Sequence, residues 1–229
     1  MSKFNWSQLI QDLRSDDVKR SIPACLKIDE VANENHVPDL YALLNDESFF
    51  VREVAASPLA RLEGIKALPF LFHAYTRGFQ DGHDNDGLTT TIIVLLEENE
   101  KKVTPLLLKM LESTDSETRE NAAWALGFTA SQISPHVLLN LLETDSNHKV
   151  RLAAIGALGS FSGSPEVIDK LITLLNDPDE QTRIEVISSL GCLKDKRIVV
   201  PLKEILEKPA SSRIREFVKH ALKNINSQR

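Results

Sequence analysis

The segment Gly78-Phe79-Gln80-Asp81-Gly82-His83-Asp84-Asn85-Asp86-Gly87 holds the densest group of chemically capable side chains in the chain. A histidine flanked by carboxylates can serve as a general acid or base, because imidazole titrates near neutrality. Asp81, His83, Asp84 and Asp86 are also hard or borderline metal ligands. Both chemistries meet obstacles. Counted from Asp81, the twelfth position of a calcium loop is Ile92 rather than glutamate, and Gly87 stands one place late. A zinc site would want a second histidine or cysteine, and His73 is the only candidate nearby. No serine or cysteine adjoins His83 in sequence to complete a nucleophile pair. The segment therefore reads as a rigid recognition loop, without metal, cofactor or catalytic residue. Its glycines supply sharp turns, Asn85 and Asp86 can bond to their own backbone, and Asp86 is placed to cap a following helix that carries Thr89 and Thr90 in its first turn.

Aromatic residues collect nearby. Phe49 and Phe50 are adjacent at a turn, so both cannot face one core; one of them is expected at the surface as an anchor for a partner. Phe72, Tyr75 and Phe79 share a helical face and are mostly core. The expected contact set is Phe49, Phe50, Tyr75, His83, Asp84 and Asp86. Trp6 is expected to cover the N-terminal end and Trp124 to fill a central unit. Cys25 and Cys192 lie far apart, without metal-type spacing, and are expected to be buried among apolar residues.

What positions these residues is a repeat. Arg119, Arg151, Arg183 and Arg215 are each separated by 32 residues, as are Leu126, Leu158, Leu190 and Leu222. Gly127, Gly159 and Gly191 follow three of those leucines. The surrounding segments TRENAAWALG, VRLAAIGALG, TRIEVISSLG and IREFVKHALK read alike. Arg20 and Arg52 keep the same interval. Pro38, Pro105 and Pro201 stand fourteen residues before Arg52, Arg119 and Arg215, where proline suits a first helical turn. Each unit thus has a helix, a polar turn such as STDS, TDSN or NDPD, and a second helix running past the arginine.

Seven such units are expected, at roughly 4–34, 35–65, 66–99, 102–131, 134–163, 165–195 and 198–226. A helix pair cannot bury its apolar face alone, so the units should stack into one all-α solenoid spanning 1–229. The acids Asp46, Asp145 and Asp177 each precede an arginine by six residues, at Arg52, Arg151 and Arg183. With Arg119 and Arg215 these residues should form a structural ladder, since guanidinium binds carboxylates and carbonyls together. The frame breaks once: Arg52 to Arg119 is 67 residues, three more than two units. The excess falls in the third unit, at a loop over about 78–88, and insertions of this kind often mark a binding face.

These units resemble HEAT repeats of the type found in phycobilisome bilin lyases. The resemblance rests on an apolar-Arg-x-x-Ala-Ala-x-x-Leu-Gly core, matched by Arg119, Ala122, Ala123, Leu126 and Gly127. Arg151, Ala154, Leu158 and Gly159 match it again, with the small pair at Ala153 and Ala154 one place earlier. It implies a scaffold, adaptor or chaperone that binds another protein, with a phycobiliprotein as one such partner. Its enzymatic alternative is a bilin lyase-like subunit or a phycobilisome assembly or turnover factor. No lyase-specific residue set maps onto this sequence.

Composition narrows the partner. The net charge of −6 is uneven: residues 1–100 carry −8, residues 101–229 carry +2, and Leu193 to Arg229 alone carry +6. An acidic chain whose aromatics do not interleave with its bases disfavours nucleic acid. No apolar run is long enough for a membrane span, no signal-type segment opens the chain, and two cysteines suit a reducing compartment, so a cytoplasmic protein is expected. Phosphate-loop, dinucleotide and paired Cys-x-x-Cys motifs are absent.

Overall fold

The polar turns act as helix starts. Asn5, Asp17, Asp115, Asn147, Ser164 and Asp179 all stand at N-caps in extended backbone, and their side chains accept from amides two or three residues on. The computed structural model describes residues 5–207 and 209–226. Phe4, at the expected start of the first unit, and Lys208 and Arg229 of the basic tail lie outside the described residues.

The helices are α1 (Trp6–Leu13), α2 (Val18–Val31), α3 (Val37–Leu44), α4 (Phe49–Glu63), α5 (Leu68–Gln80), α6 (Asp86–Glu98), α7 (Glu100–Met110), α8 (Ser116–Leu126), α9 (His136–Thr144), α10 (His148–Leu158), α11 (Pro165–Thr173), α12 (Glu180–Leu193), α13 (Val199–Glu207) and α14 (Ser212–Asn226). They pair as seven hairpins, and the described residues contain no strand. None of these helices is long and apolar enough to cross a membrane. Pro38 falls in the first turn of α3, but Pro105 lies inside α7, which starts five residues earlier, at Glu100.

The chain forms two compact units, Met1–Asn99 and Glu100–Arg229. In the first, the second helices of the hairpins pack side by side as α2–α4–α6, with α3 against α5 in the other row. In the second, α8, α10, α12 and α14 form the corresponding row. The repeat leucines Leu126, Leu158 and Leu190 are fully buried between these helices. The glycines after them are set by close approach: a Cβ on Gly191 would stand 3.0 Å from the Cα of Ala221 on the next second helix. Lys223 occupies the equivalent place on α14.

The arginine ladder runs differently from the spacing alone. Within their units Arg52, Arg119, Arg151 and Arg183 donate to backbone carbonyls, whereas Arg20 binds the carboxylate of Asp12. Arg52 Nη1 donates to the carbonyls of Asp46 and Glu47 at 3.0 and 2.9 Å. Arg119, Arg151 and Arg183 repeat this contact with the carbonyls of Ser113, Asp145 and Asp177 and of the residue after each. Carboxylates serve the preceding unit instead: Asp46 accepts from Arg14 Nε at 2.8 Å, and Asp145 accepts from Arg119 Nε and Nη2 at 2.7 and 3.0 Å. Arg215 departs from the pattern; Pro209 stands six residues before it, and its Nη1 donates to the Leu206 carbonyl at 2.9 Å.

The bonds from Arg119 hold the Asp145 carboxyl below the usual carboxylate range, outweighing its desolvation, with help from the Asn147 amide. A carboxylate lowered in the native state adds stability that is present above its unfolded pKa and is lost as pH falls through the native one. Asp145→Asn is therefore expected to cost about 1–2 kcal/mol at neutral pH and to flatten the acid limb of stability against pH, as read by urea melts below about pH 5. An unchanged acid limb would remove this bridge from the acid response.

Candidate functional site

The irregular third hairpin absorbs its extra residues mainly as helix. Gly78, Phe79 and Gln80 continue α5, and Asp86, Gly87 and Leu88 already belong to α6, so the inserted loop is only residues 81–85. The loop is pinned from three directions. Asp81 accepts from Arg52 Nη2 at 2.8 Å. The amide of His83 donates to the Gly78 carbonyl at 2.9 Å. Asn85 is fully buried with φ of 59°, and its Nδ2 donates to the Tyr75 carbonyl at 2.8 Å. Asparagine tolerates this left-handed backbone better than most residues.

That conformation corrects the expected helix cap. The Asn85 side chain is turned back toward α5, and Asp86 is already helical. Glu53 of α4 supplies the acceptor instead: its Oε1 receives the amides of Gly87 and Leu88 at 2.8 and 3.3 Å. A carboxylate at a helix N-terminus also meets the positive end of the helix dipole.

The expected contact residues separate into groups. Phe49 and His83 come together, their rings stacked with centroids 4.2 Å apart and planes 11° apart. The Arg52 guanidinium carbon lies 5.9 Å from the Phe49 centroid on the buried side. Asp84 and Asp86 are exposed. Phe50, as expected of one of the pair, is exposed, while Phe49 is half-buried. Tyr75 is half-buried on α5, edge-on to Phe79 at 4.9 Å, and serves the loop through its carbonyl. Among the described residues no group of three or more histidine, cysteine or acidic side chains could hold a metal ion.

Phe50 instead opens onto a surface absent from the sequence reading. It lines a trough of about 340 Å³ with Cys25, Leu26, Glu53, Ser57 and Thr91. Ser57 and Thr91 also line a second trough of about 580 Å³ that reaches Arg61, Val94 and Glu98. Together these run across the α2–α4–α6 row. Along α2 the side chains of Val18, Ile22 and Leu26 are 64%, 54% and 70% exposed. Three of the eight exposed large apolar residues among those described, Leu26, Phe50 and Val94, line these troughs, and Val18 and Ile22 stand two turns and one turn before Leu26 on α2. The sequence signal was an excess of apolar positions in α2: Ser21, Ala24 and Ile28 fill the buried stripe, leaving Val18, Ile22 and Leu26 for another.

Of the two cysteines expected to be buried, Cys25 is half-buried in the trough and Cys192 is exposed on α12. Burial, and then the charge of Asp29, push the Cys25 thiol up, which makes it a lining residue rather than a nucleophile. Trp6 stacks on His36 at 3.9 Å and donates to Asp39 at 2.8 Å; Trp124 packs edge-on to Phe128.

Residues 134–223 match HEAT repeats, and residues 93–128 match a HEAT-like repeat. Over these residues the chain is built of HEAT and HEAT-like repeats. The all-α fold is similar to that of a chain from the complex of CpcE and CpcF of phycocyanin lyase from Nostoc sp. PCC7120, at 22% identity and TM-score 0.50 over 69% of this chain and 98% of that one. An engineered protein aligns over 98% of both chains at 21% identity and TM-score 0.41. A designed armadillo repeat protein aligns over 97% of this chain and 100% of its own at 18% identity and TM-score 0.44. No curated protein matches the sequence significantly.

Proposed function

We propose that this HEAT-repeat protein is a non-enzymatic scaffold that binds another protein, and that the α2–α4–α6 face of its first unit receives that protein. The observation that carries the reading is the gathering of exposed apolar side chains on that face. Contiguous apolar surface of this kind is costly to leave in water and marks interaction sites. Phe50 is the expected anchor, with Leu26 and Ile22 beside it. Phe50 and Gly87 line the trough, and the Phe49–His83 stack, Asp84 and Asp86, which adjoin them along the chain, are proposed to extend the contact. The two unpaired cysteines suit a cytoplasmic setting.

The alternative is a bilin lyase-like subunit acting on a phycobiliprotein, supported by the resemblance of the repeat type. The trough argues for a protein over a free bilin: its carboxylates Asp29, Glu53 and Glu98 would meet the pigment's propionates with like charge. Affinity capture from the native cell extract separates these readings. Wild type is compared with Ile22→Asp/Leu26→Asp and with His83→Ala/Asp84→Ala, and retained proteins are identified by mass. A discrete partner lost with the first variant is the expected result, and loss with the second extends the interface to the loop. Full retention by both variants would remove this face from function. A visible absorbance band growing on mixing with free bilin would favour the lyase-like reading.

A further inference from the structure

We infer that the occupant of this trough is a basic amphipathic α-helix of the partner, an inference that rests on the binding face proposed above. Three features lead there. First, the face is made of side chains on helices whose backbone bonds are internal, so it offers no sheet edge to which a strand could add. Second, Val18, Ile22 and Leu26 repeat every four residues along α2, forming a ridge; a facing helix with its own apolar residues three and four apart interdigitates with such a ridge. The shallow troughs beside Phe50 and Val94 then accept the projecting side chains.

Third, the charge is one-sided. The troughs are lined by Asp29, Glu53 and Glu98 against a single cation, Arg61, whose Nη2 is held by the carbonyls of Asp29 and Ala32 at 2.9 and 3.3 Å. Of the three cations of α2, Arg20 is paired with Asp12 and Lys27 with Glu30, and the exposed Lys19 lines neither trough. Residues up to Asn99 carry 16 acids and 9 bases, a net −7. Lysine and arginine flanking an apolar helical stripe would meet this rim with opposite charge. An acidic helix would be repelled, and that difference sets specificity as well as encounter rate.

The test uses the full chain and two synthetic helices of about 18 residues sharing one leucine stripe, one with lysine and one with glutamate on the polar face. Fluorescence anisotropy is expected to show the lysine peptide binding at least about tenfold tighter than the glutamate peptide, with affinity falling as salt rises. Leu26→Ser/Ile22→Ser, neutral changes at exposed positions, should lower its affinity at least about tenfold without shifting the urea melt. Asp29→Asn/Glu98→Gln should narrow the difference between the two peptides. Bound lysine peptide should slow maleimide labelling of Cys25 but not of Cys192. Equal binding of the two peptides, or lysine-peptide binding that leaves Cys25 labelling unchanged, overturns the inference. Should neither peptide bind while the groove variant still loses its captured protein, the basic helix is wrong and the docking face stands. Should the groove variant also keep its partner, both fall.

Discussion

Arg52→Ala is expected to remove about 3–5 kcal/mol of folding stability, clearly more than Arg151→Ala, although both arginines occupy the same place in their repeats. Both donate from Nη1 to two carbonyls of the preceding turn. Arg52 differs in being fully buried, in its 2.8 Å bond to Asp81, and in lying against Phe49. Truncation leaves a cavity as long as the side chain, removes the donor from two carbonyls and frees the inserted loop. Asp81 itself is part-exposed and can return to water, so the cost comes from the cavity and the carbonyls more than from a stranded charge. Arg151 is only half-buried, and its alanine variant should lose about 1–2 kcal/mol. Arg52→Lys cannot reproduce the fork and should fall between them. Urea unfolding of the three variants measures the order. Equal losses at Arg52 and Arg151 would mean that burial and Asp81 contribute nothing beyond the shared carbonyl contact.

The interval of 32 residues carried most of the architecture, because each repeat must present the same arginine, leucine and glycine to the next. The chemistry of the ladder was harder to read. An aspartate six residues before an arginine offers both a carbonyl and a carboxylate, and spacing cannot say which is used. Asp46 uses both at once, its carbonyl for Arg52 and its carboxylate for Arg14. The insertion was visible as a broken interval, yet Asp81 looked like a loop acid rather than the ladder partner of Arg52. It comes 29 residues after that arginine where Asp145 comes 26 after Arg119. The trough was hidden for another reason. Whether Val18, Ile22 and Leu26 are core or surface depends on whether another helix covers α2, and that is a property of packing between elements, not of helical period. Glu53 was missed likewise: nothing local ties it to α6, which it caps across 34 residues of chain.

Gly78→Ala is expected to be the most damaging single methyl addition in the first unit. A Cβ there would stand 1.8 Å from Oδ1 and 2.7 Å from Cγ of Asn85, so one of the two residues must move. Asn85 has little freedom. Its side chain is fully buried and bonded to the Tyr75 carbonyl, and its Oδ1 finds no donor among the described residues. Moving it would break that bond and disturb the turn that starts α6. The expected loss is about 2–3 kcal/mol, even though alanine is the better helix former by about 1 kcal/mol. The cause can be isolated by a double-mutant cycle. Asn85→Gly keeps the φ of 59°, which glycine adopts freely, but removes the amide, and should cost about 1–2 kcal/mol for the Tyr75 carbonyl and the space left. In Gly78→Ala/Asn85→Gly the new methyl enters that space. The double variant should therefore be more stable than Gly78→Ala alone, which requires a coupling larger than the cost of Asn85→Gly, about 2–3 kcal/mol. Strict additivity would show that α5 accommodates the methyl by shifting as a whole. Because His83 is tied to Gly78 through its amide and stacks on Phe49, the same variants should loosen the proposed extension of the contact. Peptide binding should then weaken in the order in which stability is lost.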